Sequence, residues 1–271
     1  MRMGWMTNPG KGGMCMSSLA EQILARVLAL QVRLYACQAR LAAVTDAEAL
    51  HDLRIALRQL RSLLRPLRGL PSVDALEQGA AVLGRLSGPL RDREVLIGEL
   101  QRLGLPHLAP LDAAQHAAGY AAIASSRELA ELLLLLDAWP TNWRQAAAQG
   151  QLRGMDKRIR RRLRRQQRHL AAALRDPAHD RHRLRLLIKR VRYAAETYPA
   201  HGGLGKAAYA RLKRAQSELG DWHDHLQWLA QSEASEALKP CSGHWLQAQA
   251  MAERRADEAL LALYVDFPVE R

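Results

Sequence analysis

Residues 50–68 read LHDLRIALRQLRSLLRPLR. Leu50, Leu53, Leu57, Leu60, Leu64 and Leu67 recur at intervals of three and four. That repeat lines one side of an α-helix; a strand, with period two, would scatter it. One position on, His51, Arg54, Arg58, Arg61, Arg65 and Arg68 recur at the same intervals. They form a second stripe about 100° further round the helix. A solvated face normally mixes both signs of charge. This stripe has six basic or His positions and no acid. The stretch predicts a bundle helix with an apolar seam beside a row of anion-binding side chains.

The pattern continues outward in both directions. Leu and Ala dominate, there is one Phe, and no Val/Ile/Thr alternation signals strands. Turn signals divide the chain into helix-length pieces. The expected helices are Ser18 to Val44, Asp46 to Arg68, Val73 to Leu103 with a break at Gly88-Pro89, and Leu111 to Trp139 ending at Pro140. After Gly154 come Met155 to Leu174, His179 to Tyr198, Leu204 to Ala230 and Ser242 to Tyr264. That is eight long helices, four before residue 150 and four after. Short loops should make neighbours antiparallel.

Composition excludes several classes. Of 271 residues 48% are apolar, enough for a sizeable core and too many for a disordered chain. The longest strongly apolar run, Leu132 to Leu136, lies between Glu131 and Asp137. A membrane-spanning helix needs about 20 such residues. The Gly- and Met-rich segment before Leu19 lacks the apolar stretch of a secretory signal, and residues 1–17 read as a disordered leader. Cys15, Cys37 and Cys241 have neither metal-ligand spacing nor a disulfide framework, which suits a reducing, cytoplasmic setting. Neither GxGxxG nor GxxxxGK[ST] occurs, so nucleotide-type loops are not expected.

Charge is the strongest functional signal. The formal charge is +13, and Arg153 to Arg192 alone holds 16 Lys plus Arg against Asp156, Asp176 and Asp180. The surplus in that segment equals the net charge of the chain. A field this localised points to a polyanion: nucleic acid, an anionic membrane surface or a phosphate polymer. Arg outnumbers Lys 34 to 6, and Arg grips phosphate in a fork where Lys is a point charge.

The second half repeats the first. His51, Arg54, Arg58 and Arg61 coincide with His182, Arg185, Lys189 and Arg192 at a shift of 131. Arg26 and Arg33 fall on Lys157 and Arg164 at the same shift. Gly88-Pro-Leu-Arg91-Asp92 matches Gly220-Asp-Trp-His223-Asp224 at 132. The economical reading is an all-α protein of two four-helix bundles, 18–150 and 151–265, related by a pseudo-two-fold, with 266–271 as a tail.

Together these residues resemble the CHAD family, histidine-containing α-helical domains that bind inorganic polyphosphate. The resemblance runs over about residues 18 to 265. It rests on HxLRxxxRxxR at His51 and again at His182 (with Lys189 for the central Arg), on GxxRD at Gly88 to Asp92, and on LKxxQxxLGxxxD from Leu212 to Asp224. It implies a basic cleft or pore between the bundles in which polyphosphate threads. Two positions depart from the family's pattern. Ala81 stands where a basic residue often precedes the GxxRD turn, with Lys213 its second-half counterpart. His223 replaces the usual Asn before Asp224. With no CYTH-type triphosphatase segment ahead of it, the domain reads as a stand-alone module.

The expected polyphosphate contacts are Arg26 and Arg33; His51, Arg54, Arg58, Arg61 and Arg65; Arg91; Lys157, Arg160 and Arg164; His182, Arg185, Lys189 and Arg192; and Lys213 and His223. Arg supplies forked donors on rigid helices, Lys compact charges, and His51 and His182 charge that a nearby phosphate would favour. Tighter binding near pH 6 than pH 8 follows as an expectation for the histidines. Asp92 and Asp224 have the wrong sign to touch phosphate and read as Arg-orienting groups or helix N-caps. Trp222, Trp228, Trp245 and Tyr193 read as core or bundle-end packing. No catalytic residue, metal or cofactor is expected, and the sequence leaves oligomeric state open.

Two other readings compete. Non-specific nucleic-acid binding would use the same basic surface, though helix-turn-helix, zinc-finger and aromatic RNA-binding signatures are missing. A metal-dependent phosphohydrolase would need His51-Asp52, His179-Asp180 or His223-Asp224-His225 as ligands. Residues one and two apart on a helix point in different directions, and Arg-rich surroundings disfavour a dication. Little apolar surface would remain for a membrane once the seams are buried.

Overall fold

The computed structural model describes residues 18–110, 112–178 and 180–268. The expected leader and His179 lie outside them. Eleven α-helices and three short 3₁₀ turns make up the described chain, with no strand among the described residues. They are α1 (Leu19–Ala43), α2 (Ala49–Leu64), α3 (Val73–Leu86), α4 (Gly88–Arg102), α5 (Ala113–Ala124) and α6 (Arg127–Ala148). There follow α7 (Met155–Leu174), α8 (Arg181–Thr197), α9 (Pro199–Gly202), α10 (Lys206–Ala234) and α11 (Ser242–Leu261).

Local chemistry starts α1. Ser18 accepts from the Glu21 N–H while the Glu21 carboxylate accepts from the Ser18 N–H, a reciprocal cap that satisfies two orphan donors. Along α2 the Leu seam is buried as its spacing requires: Leu50, Leu53, Leu57, Leu60 and Leu64 are all sealed from solvent. Leu67 continues the seam on a 3₁₀ turn that carries Pro66.

Three helical expectations need correction. Leu111 to Trp139 is two helices: α5 ends at Ala124, and Ser126 opens α6 by accepting from the Leu129 N–H. Pro140 does not end α6, which runs on to Ala148. Its buried stripe, Leu129, Leu132, Leu133, Leu136, Trp139, Trp143 and Ala146, crosses the proline without interruption. Lastly, the paired GxxRD-type segments are not structurally alike. Gly88-Pro89 opens α4 after a one-residue break at Ser87, whereas Gly220 to Asp224 lies inside the unbroken α10. Pro89 has no N–H to continue the ladder; Asp221 has one.

The core forms three clusters. The largest is built from α1, α2, α3, α5 and α6 and also takes in Leu152, Met155, Ile159 and Leu163 of the α7 region and Ala194 and Tyr198 of the α8 end. A second joins α7, α8, α10 and α11, and includes Phe267. A third packs Leu96 and Leu100 of α4 against Trp228, Leu238, Cys241 and Trp245. Residues before and after 150 therefore share two of the three cores. Asp266 and Phe267, placed in the tail by the sequence, are tied in: Arg211 pairs with Asp266 at 2.5 Å and Arg175 donates to the Phe267 carbonyl at 2.6 Å. The contact between α2 and α8 brings the two basic stripes face to face.

Candidate anion-binding cleft

Because α2 turns its Leu seam into the core, its basic stripe is left on the side that meets α8. Between these helices and α3 lies a cleft of about 510 Å³. Its walls include Arg54, Arg58, Arg61 and Arg65 of α2, Lys189, Arg190 and Tyr193 of α8, Arg85 of α3 and Gln166 of α7. Arg185 stands beside Lys189, close enough to push its ammonium pKa down.

The cations are held in different ways. Arg54 reaches across to α3 and donates to the Gly84 carbonyl at 2.9 Å and to Ser87 Oγ at 3.1 Å. Ser87 is fully buried, so this bond fixes the guanidinium at the α3–α4 break. Arg61 and Arg65 each bond Glu77 Oε1, at 3.3 and 3.2 Å, and Arg68 bonds Oε2. The Glu77 side chain is only 2% exposed. A single buried carboxylate of α3 thus gathers three guanidiniums of the stripe. Burial alone would raise the Glu77 pKa; Arg68, Arg65 and Arg61 more than offset that and hold it below the usual carboxylate value.

Tyr193 is a cleft residue as well as a packing one, which corrects the sequence reading. The Arg58 and Arg192 guanidiniums lie 4.6 and 4.3 Å from its ring centroid. The ring's negative face suits a cation and orients both groups without neutralising them. Arg192 is held further by Gln216 Oε1 at 2.6 Å and stands 3.5 Å from Glu196.

Burial is the leading cause of lowered pKa for Arg54, Arg65, Arg185 and Arg190. Guanidinium stays charged regardless. Neighbouring guanidiniums add to the effect of burial at Arg54, Arg65 and Arg190. Lys189 shows it most directly. Burial first, then Arg185, Arg58 and Arg54, push its ammonium down to about 8 against the pull of Asp224. His223 is pushed down to about 4 by burial and by Arg185, His182 and Lys189, so it is neutral at physiological pH. Among the described residues its buried Nδ1 has no hydrogen-bond partner, and its ring lies 5.3 Å from that of His182. The Arg185 Nε is likewise buried without a partner.

Asp92 and Asp224 cap no helix: Ser87 and Gly205 hold those positions. Both carboxylates instead favour the charge on Arg185, while burial raises the pKa of Asp224.

Of the other expected contacts, Arg26 and Arg33 line an adjoining hollow of about 290 Å³ that shares Arg58, Ser62 and Tyr193 with the main cleft. Arg33 donates to Gln59 there, and Arg26 to the Thr197 carbonyl. His51 is half-buried on α2 and lines none of these clefts. Arg91 pairs with Glu94 at 2.9 Å, in a network with His116 and Tyr120. Lys213 is exposed and lines none of the clefts described.

The residues expected on α7 lie away from the α2–α8 cleft. Arg160 and Arg164 line a hollow with Lys157, which also borders a depression lined by Arg162, Arg165 and His169, and Arg160 is paired with Asp156. Arg162 and Arg165, with His169, are the α7 residues that meet Arg65, Arg68 and Arg190. Arg160 and Arg162 differ by about 160° round a helix. The buried stripe of Met155, Ile159, Leu163 and Leu170 sets the inner face, and with it the two flanks. Which flank meets α2 is a matter of docking, so the repeat shift could not supply it. Among the described residues no group of three His, Cys, Asp or Glu side chains is arranged to hold a metal ion, and no helix is long and apolar enough to cross a membrane.

Fold and cleft together define an all-helical protein with a concentrated cationic groove. Comparison with known families names it further. The chain belongs to the CHAD domain family, whose model matches residues 26–233. It is similar to the crystal structure of the CHAD domain from the plant Ricinus communis, with a TM-score of 0.67 and 28% identity over 94% of this chain and 93% of that one. No curated protein matches.

Proposed function

We propose that the protein binds inorganic polyphosphate in the α2–α8 cleft, holds it without turning it over, and does so in the cytoplasm on polyphosphate granules. The observation that carries the reading is the meeting of repeat equivalents. Arg54 and Arg58 of α2 line one cleft with Lys189 of α8, and together with Arg185, one turn before it on α8, they depress the Lys189 ammonium. A linear phosphate polymer has no bases to read, so recognition must come from its oxygens and its charge. The groove offers many fixed donors and stored repulsion that a polyanion relieves. Membership of the CHAD family, associated with polyphosphate binding, supports the same ligand. We read the architecture as two helical halves, α1–α6 and α7–α11, about a pseudo-two-fold passing between α2 and α8, each wider than the four helices expected of it.

A salt-titrated binding isotherm with medium-chain polyphosphate, run beside duplex DNA at equal charge concentration, tests this. The companion protein carries Arg54→Ala, Arg58→Ala, Arg185→Ala and Lys189→Ala. Polyphosphate should bind more tightly than DNA, survive moderate salt and lose at least about 100-fold in the variant. Equal, steeply salt-sensitive binding to both polymers would establish a nucleic-acid-type basic surface instead. Release of phosphate from polyphosphate with added Mg²⁺ would overturn the non-catalytic reading.

A further inference from the structure

The repeat places unlike residues at one pair of equivalent positions in the cleft. Arg58 of α2 corresponds to Lys189 of α8, and both line its wall. The exchange matters chemically. Guanidinium keeps its charge, so arginine can hold an anion but cannot attack an electrophile. A lysine that loses its proton is a nucleophile.

Position sets Lys189 apart from the other lysines. Of the five among the described residues, Lys157, Lys206, Lys213 and Lys239 are exposed, whereas Lys189 is drawn into the cleft wall. Lys239 pairs with Glu236; the Lys189 ammonium has neither hydrogen bond nor ion pair among the described residues. Arg54 and Arg58 act on it from α2, Arg185 from its own helix, and Asp224 and the neutral His223 stand by it on α10. Burial and the arginines outweigh Asp224 and bring its pKa to about 8. About a tenth of such an amine is free at pH 7, against about 0.04% of an ordinary lysine. The guanidiniums that help to free the amine are also groups that hold phosphate. An electrophile that carries its own phosphate would therefore be seated beside the nucleophile it needs.

We propose that Lys189 is a site of acyl transfer from acyl phosphates, and that its acylation weakens the grip of the cleft on its polyanion. The amine attacks the acyl carbon and a C–N bond forms. The C–O bond to phosphate breaks, inorganic phosphate leaves with the electron pair, and the proton released by nitrogen passes to it or to water. Nothing is oxidised or reduced. The leaving phosphate gains charge where the arginines are already fixed to receive it. The product amide is uncharged, so the cleft loses one cation. The effect on binding rests on polyphosphate as the cleft ligand; the acyl transfer does not.

Acetyl phosphate is incubated with the folded protein at pH 7, and acetylation at each lysine is followed by peptide mass spectrometry. Lys189 should react at least about tenfold faster than Lys157, which borders Arg160 and Arg164 but is exposed. Saturating long-chain polyphosphate should slow Lys189 at least about tenfold and leave exposed Lys206 unaffected. Polyphosphate affinity is then measured before and after treatment for the native protein and for Lys189→Arg. The native protein should lose at least about fivefold at low salt, with a salt slope lower by about 1, while Lys189→Arg keeps its own starting affinity within about twofold. A Lys189 rate no higher than that of Lys157 would overturn the acyl transfer. An equal loss of affinity in Lys189→Arg would overturn its effect on the cleft. Fast acetylation of Lys189 with no protection by polyphosphate would uphold the acyl transfer and overturn polyphosphate as the ligand of the cleft.

Discussion

Glu77 is the residue whose role is least visible in the sequence and most exposed to test. It is the buried carboxylate under Arg61, Arg65 and Arg68, and it sets how much of the stripe's charge is free. Glu77→Gln keeps the shape and removes the charge. Breaking a fully buried ion pair costs about 3–5 kcal/mol; these arginines are partly solvated, so about 2 kcal/mol is expected. Stability by urea titration should fall while polyphosphate affinity rises, because three cations lose their internal partner. A variant that was destabilised with unchanged affinity would show that Glu77 does not tune the cleft. The pH dependence has a definite sign. A carboxylate held below its unfolded pKa stabilises the fold above that value and loses its contribution as pH falls through the folded pKa. The Glu77→Gln deficit should therefore be full at neutral pH and shrink on acidification below about 4.5.

The elements show where sequence reasoning reached and where it failed. The seam of α2 was legible because a 3,4 spacing has one solution: every leucine of it is buried, and the structure adds Leu63 beside them. Pro140 was misread because local propensity was weighed without packing. Proline in a helix interior costs about 3 kcal/mol. Trp143, three residues on, is 1% exposed, stacks on Trp139 at 4.6 Å between centroids, and donates from Nε1 to the Ala20 carbonyl of α1 at 3.0 Å. Deleting such a side chain costs about 3–5 kcal/mol, so burial beyond the proline outweighs the broken ladder. Trp143→Ala should accordingly lower the urea-unfolding free energy by about that amount. A loss below about 1 kcal/mol would mean that α6 ends near Pro140 after all.

For the whole molecule, the shared cores matter more than the repeat. Leu152, Met155, Ile159 and Leu163 pack with α1 to α6, and Leu96 and Leu100 of α4 pack with Trp228 and Trp245. Neither half can leave without exposing apolar surface on both. Unfolding followed by circular dichroism and by tryptophan fluorescence should coincide in one transition, and saturating polyphosphate should raise its midpoint. At about 100 times Kd the ligand adds about 2.7 kcal/mol, a shift of about 5 °C or more at this size. Two separated transitions would contradict the shared cores, and no shift at saturation would contradict the cleft.

The helical class, the α2 seam, the repeated basic stripe and the family resemblance all follow from the one-dimensional order of residues. Each is a periodicity or a spacing, and helix geometry converts spacing directly into a face. Docking decided the rest. Which flank of α7 meets the cleft, that Glu77 sits under three arginines, that Tyr193 lies between Arg58 and Arg192, and that α4 packs on α10 all depend on how one helix is rotated and shifted against another. Those rotations are set by side-chain packing between segments distant in sequence, which no local period encodes.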